Sequence, residues 1–288
     1  MYIDFIIILL LIYAYITINR IEPTFNFNLL LKYLCISNKL NFDLIVLILI
    51  LITIPCFYIS TVSYILFAYL IYLHIDTKNI IISKSNNIIK YKLNEFELYE
   101  LKNILSDEEC DQLINLAKNL NLKKSSVLNK AGIELDNNFR DSNQIWIPNN
   151  NNNNILIKIS ELNKILSNLP IENQELLQIA QYNHGGLFKL HLDCCIYDKK
   201  TCDKIANYNN SGQRKTTLLI YLNDNFDNGE TEFPLMNVKI KPKKGSAIFF
   251  NNVNDNEKIL VQSFHQGNKV MNGEKWIATK WTHVNKFI

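Results

Sequence analysis

The sequence predicts a β-sandwich or jelly roll braced by helices, following an apolar N-terminal region. The first quarter of the chain contains two long uncharged runs, and the middle shows two amphipathic helical patterns. From about residue 176 onward, short runs rich in β-branched and aromatic residues are separated by Gly, Asn, Pro and Asp. Short strands at this spacing after two helices are typical of a mainly β domain with flanking helices.

Residues 1–80 are predicted to form a membrane-anchor region. Residues 5–19 and 44–73 are uncharged runs of 15 and 30 residues, and a helix needs about 20 apolar residues to cross a bilayer. We therefore expect the longer run to be a transmembrane helix, kinked at Pro55. The shorter run is either a second span or the apolar part of a signal sequence. Buried core helices are the alternative for both.

The orientation of this anchor depends on the number of spans. With two spans, the loop 20–41 has three basic residues against one acidic residue and is expected on the cytoplasmic side. The rest of the chain would then lie in the lumen of the endoplasmic reticulum or another secretory compartment. One span leaves the orientation open, because residues 76–92 are also basic. The Asn-, Ile- and Lys-rich usage hints at an AT-rich genome, such as that of a protist or a large DNA virus.

The remaining chain is divided into residues 81–100, a juxtamembrane linker and first strand, and residues 101–288, the main domain. Ser106 and Glu109 form a capping-box pattern ahead of a first helix. A second helical pattern runs from Ile155 to Leu169 and is expected to stop at Pro170. Six asparagines at 149–154 predict a surface loop before it.

Charge and cysteine usage exclude some classes of function. The net charge is +3 without a basic stripe, so no nucleic-acid partner is expected. The cysteines form neither a CxxC motif nor a Cys/His zinc spacing, so structural zinc is not expected. Cys194 or Cys195 could pair with Cys202 in an oxidising lumen, and free thiols are the alternative. Asn209-Asn210-Ser211 is a glycosylation sequon in the same loop.

The pair His191-x-Asp193 is the strongest chemical signal. His265 lies 72 residues after Asp193. Two imidazoles and one carboxylate on one face of a metal are the ligand set of non-haem Fe(II) oxygenases. His191 and Asp193 have the same parity along an extended segment, so their side chains are expected on one face. By contrast, His184 is interpreted as a turn residue and His283 as a surface residue at a strand end.

Lys275 follows His265 by ten residues. Asn272-Gly273 predicts a tight turn between them, which would place them on neighbouring strands. The alternation in KWIATKW predicts an inward-facing row of Lys275, Ile277, Thr279 and Trp281. A fixed cation and the Tyr182 phenol near the metal suit a dicarboxylate such as 2-oxoglutarate, with one end on the metal and the other on the lysine.

These tracts resemble the prolyl 4-hydroxylase family of 2-oxoglutarate and Fe(II)-dependent dioxygenases. The resemblance runs from about Leu101 to Val284. It is carried by ILSDEECDQLINLAKNL, NFRDSNQIWIP, LPIENQELLQIAQYNHGGLFKLHLD, RKTTLLIYLND, GETEFP, VKIKPKKGSAIFFNN and HQGNKVMNGEKWIATKWTHV. The last tract is especially specific, because a basic residue ten after the distal histidine, followed by Trp and then Lys-Trp, is a family hallmark.

The resemblance implies a double-stranded β-helix (jelly roll) that hydroxylates peptidyl proline at C4, with succinate and CO2 as co-products. It implies iron binding by His191, Asp193 and His265, and 2-oxoglutarate binding by Lys275 and Tyr182. Arg214 and Trp281 would lie near a proline-containing peptide, and L-ascorbate would rescue oxidised iron. Two alternatives remain: an oxygenase of the same fold acting on another side chain or a small molecule, and a catalytically silent binding module tethered to the membrane.

Overall fold

The computed structural model describes residues 80–129, 132–148, 152–197, 201–202 and 211–287. The apolar runs at 5–19 and 44–73, and the predicted anchor region except for its last residue, lie outside this part of the chain. Within it, no helix combines the length and the apolar character that a membrane crossing requires.

The described residues form two α-helices and seventeen strands, which confirms a mainly β domain with flanking helices. The helices are α1 (Asp107–Lys118) and α2 (Asn154–Ser167). The strands are β1 (Ile81–Lys84), β2 (Ile88–Leu93), β3 (Phe96–Leu101), β4 (Lys123–Lys124), β5 (Val127–Asn129), β6 (Gly132–Glu134), β7 (Asn143–Ile147), β8 (Leu177–Tyr182), β9 (Phe188–His191), β10 (Arg214–Tyr221), β11 (Asp227–Asn228), β12 (Thr231–Phe233), β13 (Val238–Ile240), β14 (Ala247–Asn251), β15 (His265–Gly267), β16 (Val270–Asn272) and β17 (Lys275–His283).

Two antiparallel sheets define the architecture. The larger sheet has nine strands in the order β1-β2-β3-β14-β10-β17-β8-β7-β4. The smaller sheet has four strands in the order β13-β12-β15-β9. Two further two-stranded ribbons pair β11 with β16 and β5 with β6. Non-consecutive strands are neighbours in both sheets, as in a jelly roll.

One face of the large sheet packs against the two helices. Because side chains alternate along a strand, the outward residues of β17, Trp276 and Ala278, join this helix-side core. The helices contribute buried apolar residues at three- and four-residue steps: Cys110, Leu113 and Ala117 from α1, and Ile155, Leu156 and Ile159 from α2. This core covers the helix-side face of the large sheet.

Both helix starts follow from local sequence. Ser106 caps α1, with the reciprocal Glu109 bond of the predicted capping box. The last two asparagines of the predicted loop belong to α2 instead. Asn153 caps the helix by accepting hydrogen bonds from the backbone of Ile155 and Leu156, and Asn154 is already helical. Asparagine is among the best N-cap residues, which explains this difference from the prediction. The helix ends at Asn168 in the left-handed conformation, two residues before Pro170.

The other face of the large sheet packs against the small sheet. Phe233 of β12 lies 5.1 Å from Phe250 of β14 and 6.2 Å from Phe96 of β3, measured between ring centroids. All three rings are fully buried. This aromatic cluster joins the two sheets beside His265, whose ring lies 5.0 Å from that of Phe250.

The prediction that His265 and Lys275 lie on neighbouring strands is wrong. His265 begins β15 in the small sheet, which pairs with β9 and β12. Lys275 begins β17 in the large sheet, which pairs with β8 and β10. Between them β16 pairs with β11 instead, so the chain crosses from one sheet to the other. The predicted turn is a bend at Gly273, where φ is +76° and a Cβ would lie 2.7 Å from a backbone oxygen.

Candidate active site

Three potential metal ligands converge between the sheets. His191 ends β9, Asp193 follows two residues later, and His265 is the register partner of His191 on β15. The Nε2 atom of His191 lies 3.7 Å from Asp193 Oδ1, and the Nε2 atom of His265 lies 3.9 Å from Asp193 Oδ2. One ligand atom from each of the three residues lies within 4.8 Å of the other two. The structure therefore brings together the three residues selected from the sequence.

Backbone hydrogen bonds orient both imidazoles. His191 Nδ1 lies 2.7 Å from the carbonyl oxygen of Lys189, and His265 Nδ1 lies 2.9 Å from that of Ser263. A carbonyl only accepts, so each Nδ1 carries the proton and donates it. The Nε2 atom of each ring then faces the shared site, as in metal-binding histidines.

The charge state of the triad suits a divalent metal. Burial, together with the neighbouring His265, lowers the pKa of His191, so this ring is neutral near pH 7. Burial alone would raise the pKa of Asp193, but His265, His191 and Arg214 lower it to about 2. Two imidazole nitrogens and one carboxylate oxygen form a donor set that fits Fe(II).

Residues of β10 and the residue before it form hydrogen bonds with Asp193 and with Cys195. Thr217 donates a 2.7 Å hydrogen bond to Asp193 Oδ2, and Arg214 Nη1 lies 3.5 Å from the Asp193 carbonyl oxygen. The Gln213 amide both donates to and accepts from the backbone of Cys195, each at 2.9 Å. Cys195 is also joined to Cys202 by a disulfide, while Cys194 is a buried free thiol. Of the two pairings left open by the sequence, the structure contains Cys195–Cys202.

Lys275 lies on the inner face of the large sheet, only 3% exposed. Its ammonium donates to the carbonyl oxygen of Gly229 at 2.7 Å, and it lies 5.7 Å from the Tyr182 ring centroid and 5.8 Å from that of Tyr221. Burial lowers the pKa of Lys275 to about 8, although Glu230 opposes this effect. An ammonium with one carbonyl partner in an aromatic pocket can bind a carboxylate. Lys275 and Tyr182 are thus adjacent, as predicted.

A second polar cluster lies around Arg214. Two guanidinium nitrogens bond to both carboxylate oxygens of Glu175, and the guanidinium carbon lies 3.9 Å from the Trp281 ring centroid. Trp281 in turn lies 5.7 Å from Trp146. The Arg214 side chain, one-fifth exposed, keeps a fixed direction because it is held on both sides.

His283 belongs to this cluster and is not the surface residue expected from the sequence. It is fully buried, with Nε2 2.8 Å from Glu175 Oε1 and Nδ1 2.9 Å from Ser211 Oγ. Its position at a strand end suggested exposure, but Glu175, Ser211 and the ring of Phe287 pack around it. It stays outside the triad. His184 is an exposed turn residue, as predicted.

The sequence did not single out Arg140 and Glu175. Arg140 is buried, bonds to Ser142 Oγ at 3.2 Å and Gln178 Oε1 at 3.0 Å, and lies 4.7 Å above the Phe188 ring. Phe188 itself stacks on His191 at 3.5 Å between centroids. Arg140 and Glu175 are charged, and no local motif distinguishes them from solvent-exposed charged residues. For Arg140, the only signal in the sequence was the resemblance of NFRDSNQIWIP.

Comparisons with known proteins agree with this geometry. The sequence profile of the 2OG-Fe(II) oxygenase superfamily matches residues 177–283, which include all three triad residues and Lys275. A protein of Acanthamoeba polyphaga mimivirus, named as a prolyl 4-hydroxylase, is 36% identical over 190 residues, covering 66% of this chain and 75% of the relative. Prolyl 4-hydroxylase 2 of Arabidopsis thaliana is 31% identical over 255 residues, covering 79% of this chain and 82% of the relative.

One solved structure is similar to this chain in both fold and sequence. The viral collagen prolyl hydroxylase of Paramecium bursaria Chlorella virus-1, crystallised as its 2-oxoglutarate complex, superposes with a TM-score of 0.52 at 30% identity. The match covers 66% of this chain and 96% of that one. Together with the convergent triad, these relationships show that the chain belongs to the prolyl 4-hydroxylase family of 2-oxoglutarate and Fe(II)-dependent oxygenases.

Proposed function

We propose that this chain hydroxylates a peptidyl proline at C4, using Fe(II) held by His191, Asp193 and His265. The convergence of two imidazole Nε2 atoms and one carboxylate supports the proposal most directly. When bound, Fe(II) supplies the dioxygen chemistry that couples conversion of 2-oxoglutarate to succinate and CO2 with hydroxylation of the substrate. The relatives named as prolyl 4-hydroxylases support proline as the target.

Lys275 and Tyr182 are proposed to bind the carboxylate of 2-oxoglutarate that lies away from the metal. The support is a buried ammonium with a single carbonyl partner among the described residues. Its positive charge complements a dicarboxylate whose other end chelates the metal. Charge-assisted hydrogen bonds of this kind are among the stronger polar contacts.

Arg214 and Trp281 are proposed to contact the peptide. Glu175 and Trp281 hold the guanidinium in place, and its Nη1 atom lies 3.5 Å from the Asp193 carbonyl oxygen, next to the metal site. An indole face suits the apolar ring of proline, and a fixed guanidinium suits the carbonyl groups of an extended peptide.

Three further features belong to the proposal. L-ascorbate would restore iron that becomes oxidised without substrate turnover. Residues 5–19 and 44–73 would anchor the protein in a membrane, because the longer run has the length of a spanning helix. The catalytic domain would face a secretory lumen, and the Cys195–Cys202 disulfide supports this, since disulfides persist mainly in oxidising compartments.

The full chain incubated with Fe(II), 2-oxoglutarate, ascorbate and a proline-rich peptide tests the proposal. We expect succinate formation together with a peptide mass gain of one oxygen atom, located on proline by fragmentation. His265→Ala should abolish both products, while His184→Ala, in an exposed turn, should retain them. Succinate formed without peptide oxidation, across a panel of proline-rich peptides, would argue for another substrate.

A further inference from the structure

The triad aspartate is held by a chain of two buried polar side chains. Thr217 Oγ1 lies 2.7 Å from Asp193 Oδ2, and Asn252 Nδ2 lies 2.9 Å from Thr217 Oγ1. Thr217 is on the inner face of β10, and Asn252 directly follows β14, the neighbouring strand. Both Thr217 and Asn252 are fully buried. This series of hydrogen bonds therefore runs from the proposed metal site to the buried residues of the large sheet.

The chemistry of the three groups fixes the direction of each hydrogen bond. An ionised carboxylate only accepts, so the single hydroxyl proton of Thr217 must point to Asp193. The hydroxyl oxygen then has only lone pairs left for Asn252, which must present its NH2 group. Asn252 thus prevents the hydroxyl from rotating its proton away from the carboxylate.

Only one end of the Asn252 side-chain amide is hydrogen-bonded among the described residues. Its Oδ1 atom is buried and has no hydrogen-bond partner among the described residues. A buried polar atom without a partner destabilises the folded state, and an apolar side chain of similar size would avoid this penalty. Asn252 combines this cost with a position two hydrogen bonds away from a proposed metal ligand, and the combination points to a functional reason for the residue.

We propose that Thr217 and Asn252 are positioning residues that fix the rotation of the Asp193 carboxylate for metal binding. Thr217 acts directly on Oδ2, and Asn252 acts through Thr217. Without them, the carboxylate can rotate about its Cβ–Cγ bond and must be ordered when the metal binds. This inference rests on the proposed metal site and adds two residues that do not touch the metal.

Metal affinity of the full chain, rather than turnover, tests the inference. Anaerobic Fe(II) titration should show binding about 10- to 100-fold weaker in Thr217→Val, which keeps the side-chain shape but loses the hydroxyl. Thr217→Ser, which keeps the hydroxyl, should restore affinity close to that of the parent. Asn252→Leu should weaken Fe(II) binding less than Thr217→Val, while the melting temperature of its metal-free form stays equal or rises.

The adjacent threonine provides a matched control. Thr216 is also buried on β10, but its Oγ1 atom has no hydrogen-bond partner among the described residues. Thr216→Val should therefore leave Fe(II) affinity unchanged. Equal Fe(II) affinity in Thr217→Val and the parent would overturn the inference, as would a Thr217→Ser variant as weak as Thr217→Val. Fe(II) binding that survives His265→Ala would instead overturn the proposed metal site, and the inference with it.

Discussion

Lys275 and Tyr182 are directly paired residues of two neighbouring antiparallel strands, and the lysine ammonium lies 5.7 Å from the centre of the tyrosine ring. The pairing places a buried cation and a phenol side by side on the inner face of the large sheet. Across the space between the sheets, His265 and His191 form the corresponding register pair of the small sheet. The candidate active site is thus formed by two cross-strand pairs on opposite sheets.

Removal of the buried ammonium should selectively weaken 2-oxoglutarate binding. Lys275→Ala removes a charge-assisted hydrogen bond of about 1.5–3 kcal/mol, so the apparent KM for 2-oxoglutarate should rise roughly ten- to a hundred-fold. Fe(II) affinity should change little, because Lys275 lies outside the triad. Steady-state kinetics at saturating iron and peptide measure the effect. An unchanged KM for 2-oxoglutarate would exclude Lys275 from the cosubstrate site.

The same ammonium predicts a pH dependence. Because burial lowers the pKa of Lys275 to about 8, the free enzyme loses this positive charge as the pH rises through that value. The KM for 2-oxoglutarate should therefore increase between pH 7 and pH 9. In Lys275→Arg the guanidinium stays charged throughout this range, so its KM, although higher overall, should not show this rise. If the KM for 2-oxoglutarate rose with pH equally in the parent and in Lys275→Arg, Lys275 would not be the titrating group in the cosubstrate site.

Local motifs and the family resemblance selected the three residues of the candidate metal site, which the structure brings together, whereas strand pairing could not be derived from the sequence. His191 and Asp193 are two residues apart, so extended geometry alone brings them together. The ten-residue spacing of His265 and Lys275 suggested a hairpin, but β16 pairs with β11 and separates them into two sheets. The choice of pairing partner depends on distant segments, and no local pattern records it.

The burial of charged and polar residues could not be predicted from the sequence either. Glu175 and His283 are 108 residues apart and each looks like an ordinary surface residue in its own segment. Only the fold shows that both residues lie in one hydrogen-bonded cluster with Arg214. The apolar pattern predicted which strands are buried, but not which charged residues are buried with them.

The Glu175 cluster should stabilise the fold above acidic pH. Burial raises the pKa of Glu175, but Arg214 and His283 reverse this effect and lower it to about 2. A carboxyl group with a depressed pKa contributes stability that is present above its unfolded value near 4.5 and is lost as the pH falls toward 2. Glu175→Gln should therefore lower the free energy of unfolding at pH 7 by about 3 kcal/mol.

Urea unfolding of the parent and variants at a series of pH values measures this contribution. The difference in free energy of unfolding between the parent and Glu175→Gln should become smaller as the pH falls from about 4.5 toward 2, because Glu175 of the parent then loses its charge. Glu172→Gln, an exposed position three residues earlier, is the matched control and should unfold like the parent. A difference in free energy of unfolding that stays constant across this pH range would contradict the proposed effect of the Glu175 charge on stability.

The Cys195–Cys202 disulfide should stabilise the segment that follows Asp193. It closes a loop with a sequence separation of seven residues, for which loop-closure entropy predicts about 2–3 kcal/mol of stabilisation. Cys202→Ser should lower the free energy of unfolding by about this amount, and a reducing agent should lower it equally in the parent but not in the variant. Cys194→Ser, which removes the adjacent free thiol, is the control and should leave the sensitivity to the reducing agent intact. Because Gln213 still holds Cys195 through two hydrogen bonds, Fe(II) affinity should change little in Cys202→Ser. Reductant-insensitive unfolding of the parent would show that the bridge does not support this segment.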